Sequence, residues 1–256
     1  MPRVTPSASV SRRVRTAFAD CLVWLFVLAL SMGASVALSA QTMTWRTAEI
    51  GGGGFVTGTV FHPSEPGLVY ARTDVGGIYR LNASTNRWIA LNDDIGGLNN
   101  EFQHLGVLSI GLDPQNPDRL YIATGQYGGP ETWKLPSRIY RSSNRGATWD
   151  GFVTPGFKMA GNGEGRGTGE RFAVSPENGD IILLGTSDSG IWRSTNRGVS
   201  WSRLAGFPTA ITSLNFVQYA PANASGPGPA RRVYAAARTT ANAGLWFSDN
   251  NGDTWA

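Results

Sequence analysis

Short apolar runs alternate with turns rich in Gly, Pro, Asn and Asp along most of the chain. Four runs match one another: Leu68-Val69-Tyr70-Ala71, Leu120-Tyr121-Ile122-Ala123, Ile181-Ile182-Leu183-Leu184 and Val233-Tyr234-Ala235-Ala236. Each follows a residue pair that ends in proline: His62-Pro63, Asp113-Pro114, Ser175-Pro176 and Ala220-Pro221. Each leads into an apolar-aromatic step: Ile78-Tyr79-Arg80, Ile139-Tyr140-Arg141, Ile191-Trp192-Arg193 and Leu245-Trp246-Phe247. A polar box then closes on tryptophan, as in Ser142-Ser143-Asn144-Arg145-Gly146-Ala147-Thr148-Trp149. Related boxes end at Trp201 and Trp255, and a worn one ends at Trp88. These tryptophans are 61, 52 and 54 residues apart.

One unit therefore reads as strand, Pro-containing turn, strand, strand, box turn, strand. No stretch beyond the N-terminal leader keeps helical spacing. Tandem four-stranded units of this length predict an all-β fold, a β-propeller of about four blades whose sheets bury their faces against one another. The box resembles the Asp-box of sialidases and related propellers, with Asn144, Asn196 and Asn250 at the usual Asp position. Asn makes the same side-chain-to-backbone turn bonds, so the box is expected to be structural and its Trp a packing anchor. The last unit stops at Ala256, one residue past Trp255, which reads as a propeller domain over 41–256 that belongs to a longer protein.

The leader changes the charge picture. Arg3, Arg12, Arg13 and Arg15 precede an apolar run from Cys21 to Leu30, and small residues close the segment at Ala37 and Ala40. That order predicts a signal peptide over 1–40, cut after Ala37 or Ala40, and secretion to the periplasm or cell exterior with no membrane anchor. The leader takes four of the 22 basic residues and one of the 18 acidic ones, leaving 18 against 17, a net of +1. A near-neutral remainder argues against a nucleic-acid partner. The sole cysteine, Cys21, leaves with the leader, so disulfides and thiolate metal sites are excluded. His62 and His104 are isolated, and no metal or cofactor is expected. The Gly161–169 run lacks the lysine and context of a phosphate loop.

The repeats form an internal alignment. Counting from the shared run, Asp74 faces Gly125, Ser187 and Arg238, and Arg72 faces Ala123, Gly185 and Ala236. A lone carboxylate where sibling units carry none suits a general base that activates water, with Arg72 two residues away to keep it ionised. An ordinary Asp–Arg turn pair ahead of Gly76-Gly77 is the other reading of the same spacing.

The stretch Gly51-Gly52-Gly53-Gly54-Phe55-Val56, then Phe61-His62-Pro63, then Gly67-Leu68-Val69-Tyr70-Ala71-Arg72-Thr73-Asp74-Val75-Gly76-Gly77, resembles the opening of glycoside hydrolase family 74. Gly165-Arg166-Gly167-Thr168-Gly169-Glu170-Arg171 resembles a second stretch of that family. The resemblance implies two seven-bladed propellers clasping a cleft, and xyloglucan cleavage with inversion by one aspartate from each. Asp74 matches the general base; the general acid would lie outside this chain, so these residues alone should hydrolyse little. The family's tryptophans after the first blade have no counterpart in 92–104. Tyr127 and Trp133 are candidate sugar platforms, with Arg72, Arg166, Glu170 and Arg171 as polar substrate contacts. The expected partner is polysaccharide and the expected state a monomer. Two rival readings remain: a sialidase, for which Arg72, Arg171 and Arg238 are the available arginines, and a non-catalytic propeller that only binds.

Overall fold

The computed structural model describes residues 51–96, 105–125, 137–153, 157, 159, 167–187, 189–208, 210–220 and 232–256. The predicted leader, Tyr127, Trp133 and Arg166 fall outside these residues.

Among the described residues the fold is all β, apart from one 3₁₀ turn at Asp93–Gly96. The strands are β1 Val56–Phe61, β2 Val69–Thr73, β3 Ile78–Asn82, β4 Arg87–Ala90, β5 Val107–Leu112, β6 Leu120–Thr124, β7 Arg138–Ser142, β8 Asp150–Val153, β9 Phe172–Val174, β10 Ile182–Gly185, β11 Ile191–Ser194, β12 Ser202–Arg203, β13 Ile211–Tyr219, β14 Val233–Thr239 and β15 Ala243–Ser248. They form antiparallel sheets in chain order: β1 to β4, β5 to β8, β9 to β12 and β13 to β15. The fourth sheet has three strands. Ala256 exchanges both backbone bonds with Phe247 at 2.9 Å, at the position where Ser202 meets Arg193 in the third sheet.

The first three Pro-containing turns share a device that the sequence reading passed over. The residue before the proline turns back to cap the loop. His62 Nδ1 accepts the amides of Ser64 and Glu65 at 3.3 and 3.1 Å. Asp113 Oδ1 accepts that of Gln115 at 2.9 Å, and Ser175 Oγ those of Glu177 and Asn178 at 3.3 and 3.4 Å. His62 Nε2 also bonds the Asp113 carbonyl, tying the first turn to the second. The isolated histidine is thus a structural one.

The boxes fold alike. Ser142 Oγ accepts the Gly146 amide at 2.8 Å, and Asn144 Oδ1 accepts the Thr148 amide at 2.9 Å. The same pairs recur at Ser194 and Asn196, and at Ser248 and Asn250. Arg145, Arg197 and Asn251 take φ of 59°, 59° and 56°, so a non-glycine residue is held left-handed in each box. Such a conformation persists only where its surroundings over-determine it, and the Ser–Asn bonds supply that constraint. Asn144 Nδ2 donates to Thr148 Oγ1. An Asp could accept from that hydroxyl instead, so Asn144→Asp is expected to leave stability within about 0.5 kcal/mol, as measured by urea unfolding.

The sheets stack face to face in sequence order. Tyr70 and Ile78 of the first sheet pack on Ile110, Leu120 and Ile122 of the second. Tyr121 and Ile139 of the second pack on Phe172, Ile182 and Leu184 of the third. Leu183 and Ile191 of the third pack on Leu214, Val217 and Val233 of the fourth. Trp149, Trp201 and Trp255 close the three cores, as their place in the boxes predicted. Each buried aliphatic or aromatic side chain contributes about 1.5–3 kcal/mol. The first residue of the apolar-aromatic step, in the third strand of each sheet, is fully buried as Ile78, Ile139 and Ile191; its counterpart in the fourth sheet, Leu245, is 62% exposed.

Candidate functional site

Asp74 lies one residue past the end of β2, in the turn to β3. Thr73 holds the turn by accepting the Gly76 amide and donating to the Gly77 carbonyl through its hydroxyl, at 2.8 and 3.0 Å. Gly77, at φ 96°, gives the chain a left-handed step. The Gly51–54 run lies over this turn. A Cβ at Gly76 would collide with the Gly53 carbonyl oxygen, and one at Gly54 would meet Asp74 Oδ1 at 3.1 Å. The glycines therefore permit a close approach that larger residues would block. The approach ends in a reciprocal pair: Phe55 N–H donates to Asp74 Oδ1 at 2.8 Å, and Asp74 N–H to the Phe55 carbonyl at 3.1 Å. From the second sheet, Gly106 presses so close that a Cβ there would meet the Asp74 carbonyl oxygen at 2.8 Å. Asp74 is 5% exposed.

The internal alignment needs one change. Thr186 repeats the Thr73 turn, with its amide on the Gly190 carbonyl at 2.9 Å, and Thr239 does so with Asn242 at 2.7 Å. In the fourth sheet the strands carry two further residues, accompanied by a second bulge between Leu214 and Phe216. The counterpart of Asp74 there is Thr240, not Arg238. The siblings are then Gly125, Ser187 and Thr240, and Asp74 is still the only carboxylate at this position.

Arg72 behaves differently from the sequence expectation. β2 ends at Thr73, so no strand carries Arg72 and Asp74 on one face. Arg72 is 1% exposed and turns inward. Its Nε donates to Glu170 Oε1 at 2.6 Å, Nη1 to Thr57 Oγ1 at 2.7 Å and Nη2 to the Thr168 carbonyl at 2.9 Å. Glu170 Oε2 accepts from Ser109 Oγ and the Ile110 amide, at 2.9 and 2.6 Å. Ser109 Oγ accepts the amides of Arg171 and Phe172, and the Glu170 carbonyl accepts the Val217 amide. All four sheets meet in this network. Gly58 makes room for it, since a Cβ there would meet Arg72 Nε at 2.8 Å. Ser109 escaped notice in the sequence; a serine inside the apolar strand Val-Leu-Ser-Ile-Gly-Leu was its only mark.

Arg171 is also 1% exposed, and its Nε and Nη2 find no hydrogen-bond partner among the described residues. Burial first, and then the charge of Arg72, pull its guanidinium down to about 10, against the pull of Glu170. Arg72, Glu170 and Arg171, expected as substrate contacts, thus sit together in one network; of the three arginines available to a sialidase, Arg72 and Arg171 face protein. Asn92, at the start of the stretch without tryptophans, is buried and accepts the Ile78 amide at 2.8 Å. Among the described residues no His, Cys, Asp and Glu gather in metal-ligating number.

No protein-family model matches the chain. Individual relatives do. A xyloglucanase of Hypocrea jecorina is 38% identical over 250 residues, which make up 90% of this chain and 29% of the relative. An oligoxyloglucan-reducing end-specific xyloglucanase of Emericella nidulans is 41% identical over 190 residues, 73% of this chain and 23% of the relative. In shape, the chain superposes on the crystal structure of a family 74 xyloglucanase from Xanthomonas campestris with a TM-score of 0.71 and 39% identity, covering 83% of this chain and 31% of that one. The similarity is to a class of glycoside hydrolases built from propeller sheets. Within that class it is to glycoside hydrolase family 74, and the chain spans 29% of the length of the Hypocrea relative.

Proposed function

We propose that this chain supplies the general-base half of a secreted, monomeric xyloglucan-cleaving endo-β-1,4-glucanase that works with inversion. One observation carries the reading: Asp74 is the only carboxylate among four equivalent turns, and two reciprocal bonds with Phe55, one to its carboxylate and one from its amide, hold it. A fixed carboxylate suits the base that takes a proton from the attacking water. The opposing general acid belongs to residues outside this chain, across a cleft that leaves about 6.5–9.5 Å between the two carboxyls for that water. In this reading Arg72, Glu170 and Arg171 serve the site from behind, and contact with sugar falls to residues such as Tyr127, Trp133 and Arg166. The test is the anomeric form of the first product that the full-length enzyme releases from xyloglucan, read by proton NMR. The α-anomer is expected; release of the β-anomer would overturn the proposal.

A further inference from the structure

We propose that Arg72 is a positioning residue for Asp74, acting through Thr57 and the bulge in β1; the inference rests on Asp74 being the general base. The β1–β2 register shifts between Val56 and Gly58. Just before that shift the Phe55 amide holds Asp74 through Oδ1, and within it the Thr57 hydroxyl accepts from Arg72 Nη1. The two anchors are two residues apart on one segment, and the residues they anchor are two apart on the other. A bulge re-aims the backbone beside it, so the direction of the Phe55 N–H depends on how the bulge is held.

Arg72 holds it from an immobile base. Its Nε is fixed by Glu170, which is itself fixed by Ser109 and Ile110 of β5, and its Nη2 is fixed by Thr168 ahead of β9. Thr57 Oγ1 also donates to the Arg72 carbonyl at 3.4 Å, closing a small ring across the bulge. The path from the sheet interior to the carboxylate is thus Glu170, Arg72, Thr57, Phe55 and Asp74. Loss of the Thr57 hydroxyl unpins the bulge while leaving Asp74, the Arg72–Glu170 pair and the sugar-contacting surface in place.

The experiment compares Thr57→Val, which keeps shape and removes the hydroxyl, with Thr57→Ser, which keeps the hydroxyl, in the full-length enzyme on xyloglucan. Misplacing a reacting group by about 1 Å costs on the order of 100-fold, so T57V is expected to lose about 10- to 100-fold in kcat with KM unchanged. T57S is expected to retain wild-type kcat. Wild-type kcat in T57V, or an equal loss in T57S, would overturn the inference, as would a loss confined to KM. Asp74→Ala runs beside them. Full activity in that variant refutes the general-base reading itself. An inactive D74A beside a fully active T57V refutes only the positioning role.

Discussion

Replacing Asp74 by alanine is expected to lower kcat of the full-length enzyme on xyloglucan by about 100- to 10,000-fold, the range that a positioned general base contributes. KM should change little, because a general base acts on the attacking water in the transition state and not on the bound sugar. Stability should change modestly. The variant loses the Oδ1 acceptor of the Phe55 amide, a part-buried hydrogen bond whose loss costs about 0.5–1.5 kcal/mol. A circular-dichroism melt separates the two effects. A folded variant with near-wild-type kcat removes Asp74 from the chemistry, whatever the family resemblance implies.

The largest expected effect on stability lies at Glu170. Glu170→Ala leaves Arg72 buried beside Arg171 with no anion between them, and strips Ser109 Oγ and the Ile110 amide of their acceptor. Breaking a buried ion pair from one side costs about 3–5 kcal/mol. The Glu170 side chain is 26% exposed, so the lower end, roughly 3 kcal/mol, is the expectation. At about 2–4 °C per kcal/mol for a domain of this size, the melting temperature should fall by roughly 6–12 °C. Adding Arg72→Met to Glu170→Ala should recover part of the loss, because the orphaned charge leaves with it; a double-mutant cycle reads this coupling. A single variant as stable as wild type, or strictly additive variants, would show that the network is not electrostatic.

The parts legible in the sequence were those that repeat. The Pro turns, the step residues and the Trp boxes each recur three or four times, so their roles could be inferred from one another, and the all-β sheets followed. The parts that stayed hidden are pairings between distant residues. Arg72 reads as a neighbour of Asp74 because the two are only two residues apart in the chain, yet its partner is Glu170, 98 residues away. No local pattern encodes that contact. The Arg238 alignment failed for a related reason: the added residues of the fourth sheet are absorbed by a bulge, and counting along the chain cannot see a bulge. Asp74 could be singled out because it breaks a local pattern, but the Phe55 amide that holds it is a product of the fold.

The contact of Gly76 with the Gly53 carbonyl carries a consequence for what the turn tolerates. A Cβ at Gly76 has no room against that backbone oxygen, so any side chain there must push the Gly51–54 run outward, and with it the Phe55 amide that bonds Asp74.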